Sequence, residues 1–114
     1  NTKCFALIFD CFEIEGVFVI VRKYYHDLID DDLGEQIGED YRAISSVLKQ
    51  QKEISNDDSF IQYFKDYPKF IEFIKILKIE LIKLGIKPNE LDLAEGGLAN
   101  NLAVDGNSYK IFDF

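Results

Sequence analysis

The segment Phe70–Ile86 constrains this chain more than any other. Phe70, Phe73, Ile74, Leu77, Leu81 and Leu84 follow one helical stripe, and Ile71, Ile79 and Ile82 widen it. A helix apolar over so much of its circumference belongs in the middle of a domain, covered by other elements. Tyr67-Pro68 marks its start, because proline lacks the N–H that the first turn leaves unbonded anyway. Gly85 and Lys87-Pro88 mark its end. With 114 residues there is room for one such core and not for two, so a single domain spanning 1–114 is expected.

The flanking segments predict an α+β fold. Within Lys3–Phe12, Phe5, Leu7 and Phe9 alternate with Ala6 and Ile8, so both faces are apolar, and Val17–Val21 is β-branched or aromatic throughout. Around Glu13–Gly16 these runs read as a hairpin apolar on both faces, hence buried on both sides. A helix over Val17–Ile29 is the competing pattern, since Val17, Val21, Tyr24 and Leu28 also share a helical stripe. From His26 to Asp40 there are seven acids and no Lys or Arg, punctuated by Gly34 and Gly38. That stretch reads as a solvated loop or short helix, or as an acidic docking patch. Asp40–Gln51 is an amphipathic helix with Tyr41, Ile44, Val47 and Leu48 inward. Asn56-Asp57-Asp58-Ser59 offers side-chain oxygens to start another, whose apolar face is Phe60, Ile61 and Phe64. Asn101–Val104 and Ser108–Phe112 flank Asp105-Gly106-Asn107, a hairpin signal. The expected architecture is therefore an N-terminal hairpin, about three helices with Phe70–Ile86 central, and a C-terminal hairpin.

Charge narrows the partners. Twenty-one acids against thirteen bases leave a formal charge of −8, which disfavours nucleic acid, whose phosphates call for clustered Lys and Arg. A basic protein surface remains a suitable partner. Between Lys65 and Lys87, by contrast, six lysines face three acids, so that strip is locally basic. No apolar run reaches the ~18–20 residues of a membrane span. No secretory leader is read at the start, and Asn1 in place of Met suggests a start further upstream. Cys4 and Cys11 are too far apart on a strand or a helix for a disulfide. They read as core thiols in a reduced, cytoplasmic setting.

Several chemistries are excluded by composition. His26 is the only histidine, so there is no multi-histidine metal cluster and no relay using a second histidine. A phosphate-cradling glycine loop followed by Lys-Ser/Thr, a dinucleotide fingerprint and a CxxC pair are all missing.

What remains is Glu90–Phe114, ELDLAEGGLANNLAVDGNSYKIFDF. It resembles the catalytic segment of protein kinases and related small-molecule phosphotransferases, in which an Asp-Leu after a long helix precedes an Asn-Leu-x-Val-Asp hairpin and an Asp-Phe. Asn101-Leu102-Ala103-Val104-Asp105 and Lys110-Ile111-Phe112-Asp113-Phe114 carry the likeness. The resemblance implies that Asn101 and Asp113 bind Mg²⁺ and with it ATP, and that Asp92 is the candidate catalytic base. It also makes Phe9–Leu28 the strands entering the hinge between lobes, and Phe70–Ile86 the buried helix before the catalytic loop.

The match is partial. Kinases place the base five residues before the Asn, whereas Asp92 lies nine before Asn101, and Glu90 stands where the motif has His. A glycine-rich phosphate loop is missing, and Lys3, at the end of a strand, is a poor phosphate-pairing lysine. The expectation is thus a kinase-like phosphotransferase module, incomplete or inactive by itself and acting through binding, of the reduced type found in phage genomes. Two alternatives stand beside it: a small acidic immunity or inhibitor protein covering a basic site on its target, and a virion structural component.

Overall fold

The computed structural model describes residues 4–5, 8–22, 27–90 and 97–112. Two strands, β1 (Ile8–Ile14) and β2 (Val17–Arg22), are followed by α1 (Asp31–Glu39), α2 (Tyr41–Lys49), α3 (Ser59–Tyr63) and α4 (Pro68–Leu84). A 3₁₀ turn at Pro88–Glu90, α5 (Gly97–Asn100) and the strands β3 (Leu102–Asp105) and β4 (Ser108–Ile111) complete the order. The fold is α+β, with two antiparallel hairpins. Five α-helices occur among the described residues where about three were expected, because the acidic stretch and the segment before Asn101 each form a short one.

Helix α4 organises the core. Phe70, Ile71, Phe73, Ile74, Leu77 and Leu81 are buried, packed with Phe60 and Phe64 of the α3 segment and with Ile44, Val47 and Leu48 of α2. Gly85 ends the helix in the left-handed conformation (φ 68°), and Ile86 N–H reaches back to the Leu81 carbonyl. The expected all-round burial is corrected, however. Ile79, Ile82 and Leu84 are 54%, 74% and 49% exposed, because the neighbouring elements cover one side of α4 only.

Lys78, one of the lysines of the basic strip, is buried. Its ammonium donates to the Val47 carbonyl at 2.8 Å and to the Lys52 carbonyl. Val47 lies in the last turn of α2, whose carbonyls have no partner within their own helix, so the lysine closes that helix end. Burial lowers the Lys78 pKa, against the opposing attraction of Asp58.

Asp58 occupies the N-cap position of α3, yet its carboxylate makes no capping bond. It accepts instead from the Ser55 N–H at 2.8 Å and the Gln50 side-chain amide at 3.3 Å. The expected cap is thus a turn clamp. The Ser55 N–H, aided by Gln50, Lys52 and Lys78, holds this carboxyl below its ordinary value of 3.8.

The N-terminal hairpin departs most from expectation. Ile14 faces Val17 across a two-residue turn in which Glu15 (φ 50°) and Gly16 (φ 82°) both take positive φ, as a tight twisted hairpin requires. The hairpin is not buried on both sides. Phe12, Ile14, Val17 and Phe18 are 38%, 54%, 62% and 66% exposed, since among the described residues β1 and β2 pair only with each other.

Two outcomes are expected from this architecture. Leu77 is fully buried at the centre of α4, so Leu77→Ala should lower stability in urea unfolding by about 2–5 kcal/mol. A depressed carboxyl pKa contributes stability that is present above the unfolded value and lost as pH falls through the folded one. The wild type should therefore lose stability on acidification from about pH 3.8 downward, and Asp58→Asn should flatten that part of the profile.

Candidate functional site

The C-terminal hairpin is built as an inner pair flanked on both edges. Leu102 faces Ile111 and Asp105 faces Ser108, so Gly106 and Asn107 form the turn, with Gly106 at φ 62°. On the outer edge of β3, Leu28 bridges Ala103 antiparallel, and Val104 N–H donates to the Asp27 carbonyl at 2.8 Å. On the outer edge of β4, Phe5 bridges Ile111 in parallel, and Ile111 N–H donates to the Cys4 carbonyl at 2.6 Å. Cys4 is buried, and its N–H donates to Glu80 Oε1 of α4 at 2.6 Å. Segments before β1 and after β2 therefore converge on this hairpin.

The helix α5 leads into β3 and turns at Asn101, whose N–H bonds the Leu98 carbonyl at 3.1 Å. Leu98 and Leu102 anchor the junction in the core. One rung beyond the Leu102–Ile111 pair, Phe112 N–H donates to the Asn101 carbonyl at 3.0 Å. The half-buried Asn101 is thereby held across from Phe112, the residue that precedes Asp113. Asp113 and Asp92 themselves lie outside the described residues, as does His26. Glu90, in the position of the motif histidine, is exposed and accepts from the Lys87 N–H at 3.0 Å, which closes the 3₁₀ turn. Of the three expected site residues, then, Asn101 has a described place.

Beside this junction lies a groove of about 860 Å³ between α1, α5 and the segment entering α1. Asp30, Asp31, Glu35 and Glu39 line it, together with Asn100, the neighbour of Asn101. The expectation of a solvated acidic stretch is refined here. Leu33 and Ile37 of α1 are buried, while Gly34 and Gly38 face the groove. Of the loop and short-helix readings of this stretch, the helix is the one formed; the four-residue spacing of the two glycines, in step with Leu33 and Ile37, is its signal. Among the described residues, no group of three or more His, Cys, Asp or Glu is placed to hold a metal ion.

Tyr109 of β4 couples the site to the core. Its ring packs edge-on against Phe70 and Phe73, with centroids at 6.0 and 5.7 Å. Burial, and then the nearby Asp30 charge, raise the Tyr109 pKa, so the phenol stays neutral at physiological pH.

Comparison with protein-family models, with curated proteins and with solved structures found no match. No helix among the described residues is long and apolar enough to cross a membrane.

A Cβ added at Gly34 would meet Ile29 Cδ1 at 3.8 Å and Ala99 Cβ at 4.0 Å, both ordinary contacts. Gly34→Ala should therefore stabilise α1 by about 0.5–1 kcal/mol through the lower entropy of the unfolded chain. Thermal unfolding followed by circular dichroism measures it; a loss of stability would mean that α5 lies closer to α1 than described.

Proposed function

We propose that this chain is a kinase-like phosphotransferase module that does not catalyse phosphoryl transfer by itself and acts by binding. The observation that carries the reading is the Asn101–Phe112 rung, which sets the Asn of the Asn-Leu-x-Val-Asp run across from Phe112, the residue before Asp113 in the sequence. Mg²⁺ takes oxygen ligands and commonly shares them with substrate phosphates. An Asn101 amide oxygen and an Asp113 carboxylate would supply such ligands. A Mg²⁺ held by these two residues would supply positive charge against the phosphates of ATP. The described donor is the single Asn101 amide, which does not hold Mg²⁺ alone, so the site depends on Asp113. The acidic groove beside it repels a bare triphosphate. Nucleotide should accordingly enter only as its Mg²⁺ complex. With the base displaced to Asp92 and no phosphate-cradling loop, catalytic turnover is not expected.

A second reading rests on the groove itself. Asp30, Asp31, Glu35 and Glu39 give one face a concentrated negative charge, suited to a basic protein segment, as in an immunity or inhibitor protein. Such a complex would form without nucleotide and weaken steeply with added salt.

Calorimetric titration with MgATP separates the two. Binding in the millimolar range, near −4 kcal/mol, is expected only with Mg²⁺ present. Asn101→Ala and Asp113→Ala should remove it. Asp105→Ala, at the turn, should retain it while changing stability through turn chemistry. No Mg²⁺-dependent heat at several-fold higher concentrations would overturn the nucleotide reading and leave the basic-partner reading.

A further inference from the structure

The exposed N-terminal hairpin carries an inference independent of the C-terminal site. Ile14 faces Val17 and Phe12 faces Val19 in the register, so these four share one face, while Phe18 lies on the other with Glu13 opposite it. Five consecutive residues of β2, Val17–Val21, carry no charge, proline or glycine. Exposed strand edges are ordinarily protected by charges, bulges or proline. The β1 edge has such protection, with Glu13 and a register irregularity between Ile8 and Asp10. Over Val17–Val21 the β2 edge has none, and among the described residues it pairs only with β1.

We infer that β2 is a self-association edge, pairing antiparallel with β2 of a second copy of this chain to form a four-stranded sheet with β1 strands outermost. The charge pattern selects this occupant and this orientation. The neutral run is bounded by Glu15 in the turn at one end and by Arg22 at the other. Antiparallel pairing about Val19 sets Val17 opposite Val21 and Phe18 opposite Ile20, and brings the Glu15 end of each copy to the Arg22 end of its partner. Two-fold symmetry repeats that match, as a closed isologous interface requires. Parallel pairing would juxtapose like ends. The exposed Phe12, Ile14 and Val17 of both copies would then form one continuous apolar face. Four exposed side chains per copy are few against the roughly 1,200–2,000 Å² of a stable interface, so the dimer is weak and dissociates on dilution.

Sedimentation equilibrium over a wide range of protein concentration tests this. The wild type should pass from monomer to dimer as concentration rises. Val19→Lys and Val19→Glu each place like charges directly opposite across the two-fold axis, and each should be monomeric throughout. An equal mixture of the two should dimerise again, because the charges then match. Circular dichroism checks that both variants keep the wild-type fold. If they do not, nuclear Overhauser effects between labelled and unlabelled wild-type copies at Val19 decide the question. A wild type that stays monomeric, a dimer indifferent to Val19→Lys, a folded mixture that does not re-associate, or the absence of inter-copy effects at Val19 would each overturn the inference.

Discussion

The contact on which the rest depends is the aromatic cluster at the start of α4. Phe60 and Phe64 lie 5.1 Å apart between centroids, Phe64 and Phe70 5.0 Å, and Phe70 and Phe73 6.2 Å. Such pairs contribute about 0.5–1.5 kcal/mol each beyond the area they bury. Tyr109 brings β4 into the same cluster from the opposite direction along the chain. The cluster thus joins a local helical unit to a strand some forty residues later, and through β4 it fixes β3, the Cys4–Phe5 segment and the Asn101 junction.

The legible parts of the fold were those in which one local pattern sufficed. Pro68 and Gly85 bounded α4 in the sequence within a residue or two of their observed roles, and Asp105–Asn107 marked the C-terminal turn. What could not be read depends on neighbours distant in sequence. An apolar stripe does not reveal which of its margins will be covered, so Leu84 counted as core and is exposed, while Lys78 counted as surface and is buried on two backbone carbonyls. Asp58 carries a cap residue's chemistry, but a nearer donor at Ser55 takes its carboxylate. Val17 and Phe18 have the composition of a buried strand and stand in solvent, since burial needs a partner that periodicity does not specify.

The same limit applies to the candidate site. Asn101 was legible from its motif, and its partner strand from the hairpin signal. The groove was not, because it arises where α5 approaches the glycine face of α1, a contact between segments more than sixty residues apart. Placing four carboxylates beside Asn100 makes this corner of the molecule electrostatically selective. Cations and cation-neutralised phosphates are favoured over free anions, and both functional readings use that selectivity.

The α4 cluster locks the C-terminal hairpin and so holds Asn101 across from Phe112. Native-state hydrogen exchange tests it most directly. The amides of Val104, Ile111 and Phe112, bonded to Asp27, Cys4 and Asn101, should open with the same free energy and denaturant dependence as those of Ile74 and Leu77 within α4, because they unfold as one unit. Hairpin amides that exchange through a separate low-energy opening, while α4 remains protected, would show that the cluster does not hold the hairpin.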